Sequence, residues 1–169
     1  MGRLHAEKLA ALATEGVLVF AGVSDVDVAR AGASAGTLGV PVLETLERAA
    51  AAADAASVAV PTLEHARVAG WLLDAGLDVL VEKPIATTRA DARSLIARAH
   101  AGSRILQVGH IERFSRAFRA IRPALSRPRF IEAHRIGPYP ARATDVSVVL
   151  DLMIHDLDIV AELAGHEVA

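Results

Sequence analysis

The chain has 169 residues, no cysteine, 53% hydrophobic residues and a formal net charge of −2. That length suits one compact domain or parts of two, and the apolar content excludes a disordered chain. A charge so near zero gives no basis for a nucleic-acid or membrane-surface partner, and the lack of cysteine excludes disulfides and thiolate metal sites and fits a cytoplasmic protein. The longest alanine run, 49–53, ends at Asp54 and is too short to cross a bilayer. Arg3, His5, Glu7 and Lys8 interrupt the N-terminus, so it holds no apolar signal core.

Helices and strands alternate along the chain. Residues 4–12 read as a helix, with Leu4, Lys8, Leu9 and Leu12 on related turns. Residues 17–23 are apolar and β-branched and predict a strand; 29–35 predict a short helix, 40–43 a strand and 44–53 an alanine-rich helix. A strand over 57–60 is ended by Pro61, and a helix over 64–75 is stopped by Gly76. Residues 78–81 are the next strand. Thr88 with Asp91 makes a capping pattern for a helix reaching about His100, and 104–108 follow as a strand. Strands separated by helices predict βαβ units and a parallel sheet.

The pattern changes after Gly109. A basic helix covers 113–124, residues 129–135 alternate as a strand does, 137–142 with two prolines form a loop, and 148–163 form a helix ended by Gly165. This places a domain boundary near Gly109 and His110, dividing the chain into 1–110 and 111–169.

Glu82-Lys83-Pro84 directly follows the apolar run Val79-Leu80-Val81. Ligands of open parallel α/β sheets bind at the carboxyl ends of the strands. A lysine there can hold a reacting hydroxyl or carbonyl oxygen; the same tripeptide also suits a solvated strand end with a turn proline. Asp151 and His155 are four apart on the last helix and share a face, with Asp158 one turn on. A neutral histidine is a competent base near neutral pH. Equally, the three could form a solvated polar face opposite Leu150, Ile154, Leu157 and Ala161. His155 and Asp156 gather no convergent ligand set, so no metal site is expected.

The N-terminus departs from a doubly wound domain, which opens on a strand and a glycine-rich turn. Here Met1-Gly2-Arg3 leads straight into a helix, and Asp25 ends the next strand 23 residues after Gly2. An acidic residue about 20 residues past a glycine motif reads a ribose 2′-hydroxyl. Gly2 then stands where the last glycine of such a motif would be. Asp25 as a simple turn cap is the other reading.

Four stretches together resemble the glucose–fructose oxidoreductase / inositol dehydrogenase / MocA (Gfo/Idh/MocA) family of NAD(P)-dependent dehydrogenases. They are Val58-Ala-Val-Pro-Thr-Leu-Glu-His65, Val79-Leu-Val-Glu-Lys-Pro84, Gln107-Val-Gly-His110 and Asp151-Leu-Met-Ile-His-Asp-Leu-Asp158. The resemblance implies an α/β fold: a Rossmann-like doubly wound parallel sheet, here lacking its first strand, then the start of an α+β substrate domain with a mainly antiparallel sheet. It implies that the chain is a fragment, or a gene product begun at an internal methionine, whose own affinity for NAD is weak.

The resemblance also assigns roles. His155 is the base, Lys83 touches the reacting hydroxyl and Asp151 orients the pair. Gly2, Asp25, Pro61, Thr62, His65, Glu82 and Lys83 face the cofactor, which is NAD more readily than NADP because Asp25 repels a 2′-phosphate. It implies a cis Lys83–Pro84 bond and a homo-oligomer when intact. Gly109-His-Ile-Glu-Arg-Phe114 and Pro128-Arg-Phe-Ile-Glu-Ala-His134 are similar to the branch that oxidises UDP-N-acetylglucosamine at its 3-position on a route to lipid A. His110, Arg113 and Asp158 are then substrate-binding residues. Arginines at 113, 116, 119, 122, 127, 129 and 135 suit the phosphates of such a small-molecule substrate, or form a basic face that aids solubility. The competing reading is a non-catalytic fragment or an NAD(P)-sensing binding protein.

Overall fold

The computed structural model describes residues 1–125, 128–136 and 147–165. Three helices come first: α1 (Gly2–Thr14), α2 (Val28–Leu38) and α3 (Leu46–Ala52). Asp27 caps α2 by accepting the Arg30 amide, and Thr45 caps α3 by accepting that of Arg48. Then β1 (Ala55–Val58), α4 (Thr62–Asp74), β2 (Asp78–Val81), α5 (Arg89–Gly102) and β3 (Leu106–Val108) alternate. Thr88 opens α5 as expected, accepting the Asp91 amide at 3.1 Å. The strands pair in parallel in the order β1-β2-β3.

Parallel neighbours need a crossover, and sequential crossovers of one hand lie on one face of the sheet. Helices α4 and α5 accordingly pack on each other and on the sheet. Leu72 and Leu73 of α4 and Leu95 of α5 bury against Val58, Val79 and Val81. In the register, Val58 stands beside Val81 and Ser57 beside Leu80. Side chains alternate across a strand. Ser57, Leu80 and Glu82, the last just past the strand end, therefore project toward the opposite face, where α1 lies and His5 meets both Ser57 and Glu82.

The first expected strand is corrected. Residues 17–22 form no ladder, and 17–23 pairs with 40–43 only through a parallel bridge between Val23 and Val42. Among the described residues no strand stands on its other side, and Val19 is 91% exposed. Close approach at the bridge requires Gly22: a Cβ there would lie 2.6 Å from the Pro41 carbonyl oxygen, and its φ is +156°.

The second part is corrected in three places. Residues 128–136 hold no strand, so no antiparallel sheet is present among the described residues; alternation creates a strand only when a partner takes up its backbone groups. The basic helix is broken into a 3₁₀ turn (Ile111–Phe114), α6 (Arg116–Ile121) and a second 3₁₀ turn (Arg122–Ala124). Ser115 causes the first break by capping α6 through the Phe118 amide, and Pro123 opens the last turn. The final helix starts with a π turn (Val149–Met153) and continues as α7 (Ile154–Ala164), ended by Gly165 in the left-handed conformation. Asp158 is its buried residue; of the expected apolar face, Leu150, Ile154 and Ala161 are partly buried, whereas Leu157 is about half exposed. The loop expected at 137–142 lies outside the described residues. Among those residues, no helix is long and apolar enough to cross a membrane.

Candidate functional site

Lys83 emerges at the carboxyl end of β2, and its bond to Pro84 is cis. The Nζ donates to the Asp151 backbone carbonyl at 2.8 Å and to Asp151 Oδ1 at 2.9 Å. Both side chains are about four-fifths buried. The π turn around Asp151 brings carbonyl and carboxylate to one ammonium; such turns recur at functional sites.

His155 follows on the first turn of α7. Burial pushes its pKa below the ordinary 6.5, and the positive charges of Lys83 and Arg135 push it the same way. The smaller influences are divided: the Glu112 carboxylate raises it and His110 lowers it. Its Nδ1 is buried with no hydrogen-bond partner among the described residues. The structure therefore brings together the three residues expected to carry catalysis, with the imidazole biased toward its neutral, proton-accepting form.

Glu82 is 6% exposed and both of its oxygens are engaged. Oε1 accepts from His5 Nε2 at 2.7 Å, and Oε2 accepts from the Lys83 backbone amide at 3.1 Å. His65, expected at the cofactor, is an interior residue with 1% exposure. Its Nδ1 lies 2.8 Å from the Pro84 carbonyl and its Nε2 3.0 Å from the Val60 carbonyl. A neutral ring donates to one of these and an imidazolium to both. Pro61 and Thr62 open α4, and neither side chain caps it.

The expected substrate residues pair with one another. Arg113 donates to both oxygens of Asp158, at 2.7 and 2.6 Å, and to Glu162 at 2.7 Å. These bonds hold its guanidinium protonated more firmly than usual. His110 Nδ1 lies 3.7 Å from Asp158 Oδ1, beyond hydrogen-bond range, and is buried without a partner among the described residues. Arg122 also binds Glu162. Arg135 binds Asp156, whose carboxyl it holds below the usual carboxylate range. Of the seven arginines, three are thus committed to carboxylates, whereas Arg116, Arg119 and Arg129 are exposed. Sequence reasoning missed His5, Ser57, Glu112 and Glu162. Only the i,i+4 spacing of Asp158 and Glu162 signalled a shared face.

At the other end, α1 begins at Gly2 with no side-chain cap and no acidic residue in its first turn. Its first amides and the positive end of its dipole are left for an anion. Asp25 accepts from the Asp27 amide at 2.9 Å and from Arg30 at 3.3 Å. These groups fit a dinucleotide: helix amides for a pyrophosphate and a carboxylate for a ribose hydroxyl. Arg30, a helical turn away in sequence, stands directly beside that carboxylate. No cluster that could hold a metal ion occurs among the described residues.

The family model described as an oxidoreductase family with an NAD-binding Rossmann fold matches residues 1–110. The chain is 37% identical to the UDP-N-acetylglucosamine 3-dehydrogenase of Acidithiobacillus ferrooxidans, over 99% of this chain and 52% of that protein. A solved structure of that enzyme superposes with a TM-score of 0.91, covering 99% of this chain and 54% of the other. Inositol 2-dehydrogenase 2 of Saccharopolyspora erythraea is 33% identical over 62% of this chain and 33% of its own length. GenD2 from gentamicin A biosynthesis, solved in complex with NAD, is 23% identical with a TM-score of 0.80 over 98% of this chain and 51% of that one, a likeness of fold. The chain spans about half the length of the first of these relatives.

Proposed function

The chain belongs to the Gfo/Idh/MocA family of oxidoreductases, and from that premise we propose that the whole protein oxidises a secondary hydroxyl of a sugar or nucleotide sugar by hydride transfer to NAD. The observation that carries the reading is the Lys83–Asp151 contact at 2.9 Å beside His155. Bound NAD supplies the acceptor for the hydride. The chain supplies the rest. Lys83 Nζ holds the substrate oxygen and favours its anionic form. The neutral imidazole of His155 takes the hydroxyl proton. Asp151 aims the ammonium. The amides at the start of α1 hold the pyrophosphate and Asp25 the ribose, with Pro61 and Thr62 at the cofactor side. Asp25 favours NAD over NADP, and Arg30, so close to it, moderates that preference. The division at residue 110 then separates a cofactor half from a substrate half.

The 37% identity to a UDP-N-acetylglucosamine 3-dehydrogenase supports that substrate and that position of oxidation. Steady-state NADH formation by the whole protein with UDP-N-acetylglucosamine, against myo-inositol, tests it. Turnover with the nucleotide sugar that collapses in His155→Ala supports the assignment. Full activity in His155→Ala ends it.

A further inference from the structure

His5 lies outside the four stretches that carry the resemblance, yet it joins α1 to the end of β2. Its ring is 18% exposed, with Nδ1 2.7 Å from Ser57 Oγ and Nε2 2.7 Å from Glu82 Oε1. A carboxylate only accepts, so Nε2 carries the proton. In a neutral ring Nδ1 is then the acceptor for the Ser57 hydroxyl, and every polar atom of the chain Ser57–His5–Glu82 is satisfied. The far oxygen of Glu82 accepts from the Lys83 amide at 3.1 Å. On the remaining side the Gly109 backbone closes in: a Cβ there would lie 3.3 Å from the Glu82 carboxyl carbon. The carboxylate is therefore fixed at both oxygens and along its flank. The residue whose amide it holds carries the Nζ that meets Asp151.

We propose that His5 is a positioning residue for Lys83: by locking the Glu82 carboxylate, it fixes the Lys83 backbone and so aims the Lys83 ammonium into the site. The inference rests on the reading of Lys83 as the residue that holds the substrate oxygen. The competing role for His5 is a simple tether of α1 to β1 through Ser57. Three substitutions separate the two. His5→Ala removes both bonds of the ring. His5→Gln keeps an amide donor in reach of Glu82. Ser57→Ala removes the tether and leaves the Glu82 bond.

The first measurement is hydrogen exchange of the Lys83 amide in the 169-residue chain. His5→Ala is expected to speed it about five- to tenfold, the value of one hydrogen bond, with His5→Gln restoring protection and Ser57→Ala within about twofold of the parent. The second is steady-state kinetics of the whole protein with NAD and UDP-N-acetylglucosamine, where kcat falls by a similar factor in His5→Ala while the KM for NAD holds. Unchanged Lys83 exchange in His5→Ala, or an effect as large in Ser57→Ala as in His5→Ala, overturns the proposal. If His5→Ala does not fold, His5→Gln and Glu82→Ala decide: the first must keep Lys83 protected and the second, which removes the acceptor, must expose it, and equal exchange in both overturns the proposal. A parent protein that forms no NADH refutes the dehydrogenase reading, while Lys83 exchange still reports on His5.

Discussion

His155 is the base of the proposed reaction, and its surroundings define its behaviour. In the whole protein, His155→Ala is expected to lower turnover by about 10²–10⁴, the usual contribution of a positioned base. Initial-rate assays read this directly. Because burial, Lys83 and Arg135 all depress its pKa, the acid limb of kcat/KM lies below the ordinary imidazole value of 6.5. Arg135→Gln removes one of those positive charges without touching Lys83, so the acid limb moves up. A His155 titration by NMR that shows no upward shift in Arg135→Gln counts against this account. The same depression has a stability consequence. Below 6.5 the unfolded chain takes up a proton that the folded chain refuses. The contribution is complete above that value and is lost as pH falls from there toward the lowered folded value. Melts across this interval should therefore show Tm falling on the acid side, less steeply in a His155→Ala variant.

Among the elements, the segment from the first 3₁₀ turn to the second is tied to α7 by ion pairs. Arg113 reaches Asp158 and Glu162, and Arg122 reaches Glu162 again. Asp158 is buried and takes two of these bonds, so Asp158→Ala should cost about 2 kcal/mol, the value of hydrogen bonds to a charged partner. Arg122 is 57% exposed, and Arg122→Ala should cost no more than about 0.5 kcal/mol. Urea midpoints compare the two, and equal losses would show that burial does not set the difference. Thr88→Ala, which removes the cap of α5, should cost about 1 kcal/mol. Local rules made such elements legible. Caps, stop glycines and 3.6-residue periodicity placed α4 and α5 within a few residues, because their signals lie inside the element. The strand expected at 17–23 was not recoverable in that way, since a strand exists only with neighbours to receive its backbone bonds. The burial of Asp158 on α7 escaped for a related reason: it is turned inward by Arg113, 45 residues away, and helical periodicity carries no record of that partner.

For the molecule as a whole, the site is assembled across the chain. Lys83 follows β2 of the first part, and Asp151, 68 residues later, opens with His155 a helix of the second. Their grouping was legible only through the motifs that carry the resemblance, since spacing alone also suits a solvated polar face. Their mutual support was not, because Ser57 and His5 meet Glu82 only once strand alternation and the packing of α1 are in place. This assembly predicts non-additivity. Lys83→Ala and His155→Ala should each lower turnover by about 10²–10⁴, since each removes one side of a single proton transfer. With Lys83 gone the substrate oxygen is no longer held where His155 can use it, so the second substitution removes a group already made idle. The double variant should then lose far less than the product of the single losses. Both single variants and the double are to be assayed as the whole protein with UDP-N-acetylglucosamine and NAD, beside thermal melts. Losses that multiply in full would mean that the two residues act in separate steps. A double variant that melts well below either single variant would assign the contact between the residues after β2 and the start of the last helix to holding the two parts together, with turnover lost through the fold.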